Sequence, residues 1–220
     1  MSMSYEEKRR LAYHEAGHAV AAVKLHSRQR VTRATIIRHS DALGLVAWKP
    51  TEEIYTKTRE EVLEDIDIAL ASRAAEEIFL GKQLTGVTSD LQQATQSATA
   101  LIGLYGMNGT LVSFSVFGGP DGDVRRDVHK LLRERYSYIK RFIDDNRPAV
   151  IGVAEALLQR SELDGREVEA IVRDASAEQP AAVAAAKPLD LPPIGTPAPS
   201  MLPSPVSTAS QVGLSNFPDL

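Results

Sequence analysis

The 220-residue sequence predicts a mainly α (α+β) fold, a helical domain with one small β-hairpin, followed by a disordered tail. Three observations carry this. Ser or Thr stands three residues ahead of Glu or Gln at Ser4, Thr58 and Ser89, each time before a long helix-compatible stretch. Two short runs rich in β-branched residues, "VTRATIIR" (31–38) and "LGLVAW" (43–48), are separated by the polar turn "HSDA". Beyond residue 175 the composition changes: nine of the twelve prolines fall between Pro180 and Pro218, and Phe217 is the one aromatic side chain. Such a stretch cannot bury enough apolar surface to offset its ordering entropy. The folded unit is therefore expected at 1–175 and the disordered tail at 176–220, with no internal repeat.

In chain order, Ser4 and Glu7 form a capping-box pattern for a helix over about 5–26. Ala12, Ala16, Ala19 and Val23 make one apolar stripe on it, with Leu11, Ala22 and Leu25 flanking, so most of its faces are expected to be buried. The hairpin follows. Thr58 with Glu61 opens a second long helix through "REEVLEDIDIALASRAAEEIFLG", which Gly81 ends, and the charges in 59–67 are expected to form its solvated face. Ser89 with Gln92 opens a third helix. After the glycine-rich break at 118–122, helices are expected over 124–145, 148–160 and 164–173, with Pro148 suiting a helix start.

Composition excludes several functions. There is no cysteine, hence no disulfide, thiolate zinc site or cysteine nucleophile. A net charge of −4 gives no electrostatic reason to expect nucleic acid. Leu91 to Pro120 carries no charge, but its glutamines and glycines favour buried protein interior over a membrane span. The opening "MSMSYEEKRR" lacks the apolar core of a signal peptide, so a soluble cytoplasmic chain is expected.

The chemistry concentrates in "AYHEAGHAV" (12–20). On a helix His14 and His18 lie one turn apart and about 40° round the axis, so both imidazoles can reach one ion. Zinc suits nitrogen ligands, and a catalytic site keeps one position for water. Glu15 is then placed to take a proton from that zinc-bound water as it attacks a peptide carbonyl. The plain alternative is a pair of hydrogen-bonded core histidines. Gly17 costs up to about 1 kcal/mol against alanine inside a helix, which points to close backbone packing. A third ligand must come from elsewhere, and the chemistry leaves Glu76, Glu77, Asp90, His39 and His129 open. Of the remaining residues, His26 reads as a dipole or solvent contact, His129 as helix surface and Trp48 as packing.

"AYHEAGHAV", "ALGLVAWKP", "ASRAAEEIFLG", "LTGVTSDLQQAT", "LYGMNG" and "AEALLQRSELDGREVEAIV" occur in an order and at spacings that resemble the peptidase domain of the FtsH family, over about residues 5–173. The resemblance implies a Zn2+-dependent metalloendopeptidase acting on unfolded or flexible polypeptide. It makes His14, His18 and Asp90 the zinc ligands, Glu15 the catalytic base, and Glu76 a neighbour that orients a ligand imidazole. It also implies that Leu43, Gly44, Leu45 and Val46 belong to an edge strand receiving extended substrate. Family members carry an ATPase module and assemble as hexamers. No G-x-x-x-x-G-K-[ST] loop occurs here, so ATP binding is not expected, and either a homo-hexamer or docking to a separate ATPase is. A metal-binding adaptor that recruits a partner through its tail is the competing reading. An intact Glu15 weighs against it.

Overall fold

A computed structural model describes residues 3–38, 43–119 and 122–177. His39 and the expected tail from residue 178 onward lie outside the described residues. The elements run α1 (Tyr5–Leu25), β1 (Gln29–Thr35), β2 (Leu45–Pro50), α2 (Arg59–Ala75), α3 (Thr88–Gly103), α4 (Gly122–Asp145), α5 (Arg147–Arg160), β3 (Glu162–Asp164) and α6 (Gly165–Ala177). Among these, no helix is long and apolar enough to cross a membrane.

The expected mainly helical plan holds, and α1 is its centre. Ala12, Ala16, Ala19 and Val20 are fully buried. The helix packs on both α2 and α5. Gly17 explains how closely α1 and α2 approach. A Cβ added there would stand 2.8 Å from both the Ala71 carbonyl oxygen and Ala75 Cβ, neither of which can swing away. At α2 the Thr58–Glu61 capping box forms in full. At α1 only half of the expected box forms: Ser4 accepts from the Glu7 N–H, while the Glu7 carboxylate turns to Arg10.

The sheet differs from expectation in two ways. β1 and β2 pair antiparallel from Gln29↔Pro50 to Thr35↔Leu45, so both strands sit further from their turn than the sequence runs suggested. The reason is a third strand that the sequence pattern does not reveal. Ser161 ends α5 at a φ of 65°, and β3 then pairs Arg33↔Asp164 through Thr35↔Glu162. The Ile36 N–H and the Thr35 hydroxyl both donate to the Ser161 carbonyl, drawing the end of β1 away from β2. The strand order is β2-β1-β3, which leaves β2 at an edge of the sheet.

Four further expectations are corrected. The third helix starts at Thr88, not after a Ser89 cap, because a short turn over Thr85–Val87 leads into it and Thr88 Oγ1 donates to the Thr85 carbonyl. The last helix continues to Ala177. The uncharged stretch after Leu91 is not interior throughout. Ala94, Ala98, Leu101 and Ile102 are buried, but Gln92, Gln93 and Gln96 face solvent and Leu111 is fully exposed. Neutral amides there do the work of charges.

The charge run at 59–67 is not all solvated either. Glu61 pairs with Arg28. Asp67 is 2 % exposed, and its carboxylate accepts from both Nε (2.8 Å) and Nη2 of Arg135 on α4. Burial pushes the Asp67 carboxyl up to about 6, against the pull of Arg135. Removing one partner of such a pair strands a buried charge. Asp67→Ala is therefore expected to cost about 3–5 kcal/mol in urea unfolding, whereas replacing both partners with apolar residues recovers most of it. A single-variant cost under about 1 kcal/mol would show that Arg135 finds water instead.

Candidate metal centre

The close contact at Gly17 sets α1 against α2 so that the two histidines of α1 meet groups of α2 and of the turn that continues it. His18 Nδ1 lies 2.8 Å from the Ile68 carbonyl oxygen. A carbonyl can only accept, so this nitrogen carries the proton. His14 Nδ1 lies 2.8 Å from Glu76 Oε1. Glu76 is 1 % exposed and begins a one-turn π segment, Glu76–Leu80, that Gly81 closes at a φ of 63°. The wider π turn is a common way to re-aim a side chain at a functional site. Its other oxygen, Oε2, accepts the Leu84 N–H at 3.1 Å, which holds the carboxylate in place.

With Nδ1 committed in both rings, the two Nε2 atoms are left to face a third group. That group is Asp90, in the first turn of α3, whose Oδ2 lies 3.3 Å from each Nε2. Ser72 Oγ donates to the same oxygen at 2.9 Å. His14, His18 and Asp90 each offer one donor atom, all within 4.8 Å of one another. Donor atoms about 2.1 Å from a tetrahedral ion stand roughly 3.4 Å apart, so the two Nε2–Oδ2 spacings of 3.3 Å suit zinc, as does the two-nitrogen, one-oxygen chemistry.

The electrostatics favour positive charge at this point. Burial alone would lower the His14 pKa, but Asp90, Glu76 and Glu15 together raise it to about 10. Burial would raise the Asp90 carboxyl, yet His14 and His18 hold it well below the usual carboxylate range. Glu15 is 4 % exposed. Burial raises its pKa, against the opposing pull of His18 and His14. Its carboxylate lies against Gly44, just before β2.

A cleft of about 700 Å³ runs past this group, lined among others by Glu15, Asp90, Leu43, Gly44, Leu45 and Trp48. Of the residues singled out from sequence, His14, Glu15, His18, Glu76 and Asp90 thus come together, and the segment 43–46 borders them. Glu77 does not join them; it accepts from Gln83 and Lys140. His129 is exposed on α4. His26 is no solvent contact: its side chain is 2 % exposed, edge-on to Trp48, with Nε2 3.6 Å from Asp65. Ile68, Ser72 and Leu84 support the centre through a carbonyl, a hydroxyl and an amide, and no residue-type pattern in the sequence marks them.

Comparison with known proteins gives a consistent picture. The profile of peptidase family M41 matches residues 1–123. The chain is 32% identical over 199 residues to the ATP-dependent zinc metalloprotease FtsH 2 of Methylacidiphilum infernorum, covering 82% of this chain and 31% of that one. It is 30% identical over 187 residues to the ATP-dependent zinc metalloprotease FtsH of Cupriavidus metallidurans, covering 77% and 29%. The corresponding Helicobacter pylori protein is 32% identical over 191 residues, with 78% and 30% covered. The chain thus spans about 30% of the length of the curated relatives it matches.

Proposed function

The chain belongs to peptidase family M41, and from that premise we propose that it is a zinc metalloendopeptidase that cuts unfolded or flexible polypeptide. The observation that carries the reading is the convergence of His14 Nε2, His18 Nε2 and Asp90 Oδ2, with a buried carboxylate, Glu15, beside them. Zinc held by those three atoms supplies Lewis acidity to a water and to the scissile carbonyl.

The remaining work belongs to the chain's own residues. Glu76 and the Ile68 carbonyl hold the two imidazoles by Nδ1, so that Nε2 of each points to the centre. Glu15 takes the proton of the attacking water and passes it to the leaving amine. The outer edge of β2, which pairs with no other strand among the described residues, receives the substrate main chain in extended form. Main-chain pairing of this kind tolerates varied side chains. A purely structural metal site would have no use for Glu15.

Folded proteins are a different problem, because exposing a strand long enough to enter the cleft costs a sizeable part of a domain's stability. The relatives' names tie their proteolysis to ATP. No phosphate-binding G-x-x-x-x-G-K-[ST] loop lies within these 220 residues, so we assign unfolding to an ATPase module outside them, with this domain either forming a ring by itself or docking to that module. The purified chain is expected to degrade casein, to stop when a chelator removes the metal and to resume when zinc is restored. It should leave a folded fluorescent protein intact with or without ATP. Casein cleavage that survives metal removal would defeat the metallopeptidase reading, and ATP-stimulated loss of fluorescence would show that these residues couple ATP to unfolding themselves.

A further inference from the structure

Gly44 stands immediately before β2, and its φ lies outside the left-handed region that favours glycine. The backbone there does not call for a glycine. A side chain on another element does. A Cβ added at residue 44 would stand 2.4 Å from Glu15 Oε1, 2.9 Å from its Cδ and 3.0 Å from its Cγ. All three nearest atoms belong to Glu15.

Gly17 and Gly165 make the contrast. Their added Cβ atoms would run into Ala71 and Val31 backbone oxygens at 2.8 and 2.0 Å. Backbone cannot yield, so those glycines serve packing. At residue 44 the obstacle is the far end of one flexible side chain, which could swing aside at little cost to the fold. What would be lost is the orientation of that carboxylate.

We propose that Gly44 is a positioning residue for Glu15: its missing side chain forms the niche that holds the carboxylate beside His14 and His18. The same residue leads into the strand edge that takes the substrate, so the base and the substrate main chain are referenced to one stretch of backbone. The proposal rests on the peptidase reading and assigns to that reaction a residue that touches neither metal nor leaving group. It also separates two effects that usually travel together. Substitution at 44 should disturb turnover without disturbing metal binding or stability.

Steady-state cleavage of a fluorogenic peptide by the zinc-loaded full chain tests this. Gly44→Ala is expected to lower kcat by at least about tenfold, as a small displacement of a catalytic group does, with KM, zinc content and thermal midpoint close to those of the parent. Glu15→Asp supplies the discriminating background, because a carboxylate one methylene shorter no longer meets the new Cβ. There, adding Gly44→Ala should cost less than about twofold. Equal losses in both backgrounds, a loss carried by KM, or a parent-like kcat would overturn the proposal. So would a lowered thermal midpoint that Glu15→Asp does not restore, since Gly44 would then be a packing residue. Failure of the underlying reading shows separately, as a zinc-loaded parent chain without peptidase activity, and the proposal falls with it.

Discussion

Glu15→Gln is expected to lower peptide cleavage by about 10²- to 10⁴-fold while the protein still binds about one zinc per chain. The two properties are expected to separate because the proposed metal-binding and proton-transfer roles fall on different side chains. The converging donor atoms are His14 Nε2, His18 Nε2 and Asp90 Oδ2, and Glu15 contributes none of them. Glutamine keeps the volume and one acceptor oxygen of the buried side chain, so the contact with Gly44 and the α1–α2 packing persist. It cannot take a proton. Burial raises the Glu15 pKa against the opposing pull of His18 and His14, the direction that strengthens a carboxylate as a base. Metal analysis and kcat on the same preparation check the result. A variant that kept most of its activity would remove Glu15 from the proton-transfer step. One that lost zinc along with activity would make it part of the metal site.

The features legible in the sequence are those set within one or two helical turns. The His14–His18 spacing, the Thr58–Glu61 box and the burial expected from the alanine stripe of α1 all depend on neighbours three or four residues apart. The features not legible there join distant positions. His18 meets the Ile68 carbonyl across 50 residues, and Asp67 meets Arg135 across 68. Asp67 looks like one more charge in a solvated run because nothing local reports that α4 covers that face of α2. Likewise "ELD" has too few β-formers to announce a strand, and β3 exists because the Ser161 turn delivers it to the free edge of β1. The burial of His26 is illegible for the same reason: its partner ring, Trp48, comes from across the hairpin. The metal centre stands between these cases. Its α1 half is local and legible, whereas chemistry alone leaves Glu76, Glu77, Asp90, His39 and His129 open as the third group. Gly17 is the one local clue to the close pairing of α1 with α2.

Asp90→Ala is expected to weaken zinc binding by more than about 100-fold, and Glu76→Ala by about 10- to 100-fold. Both carboxylates are held near His14, so the ranking separates a ligand from a group that acts through one. Asp90 presents Oδ2 between the two Nε2 atoms at 3.3 Å from each, and truncation leaves two donors where zinc binds through at least three protein atoms. It also strands the Ser72 hydroxyl, but that loss alone is small beside a coordination bond. Glu76 reaches the centre only by way of His14 Nδ1, and its second oxygen is occupied by the Leu84 N–H. Without it His14 keeps its Nε2 but loses its fixed orientation, and the donor trio loosens. Glu76→Gln should fall between parent and alanine, because an amide oxygen still accepts from Nδ1 while the charge is gone. Competition against a chromophoric zinc chelator ranks all three variants in one buffer. A larger loss from Glu76→Ala than from Asp90→Ala would transfer the third ligand to the π segment and leave Asp90 as a dipole-complementing charge at the start of α3.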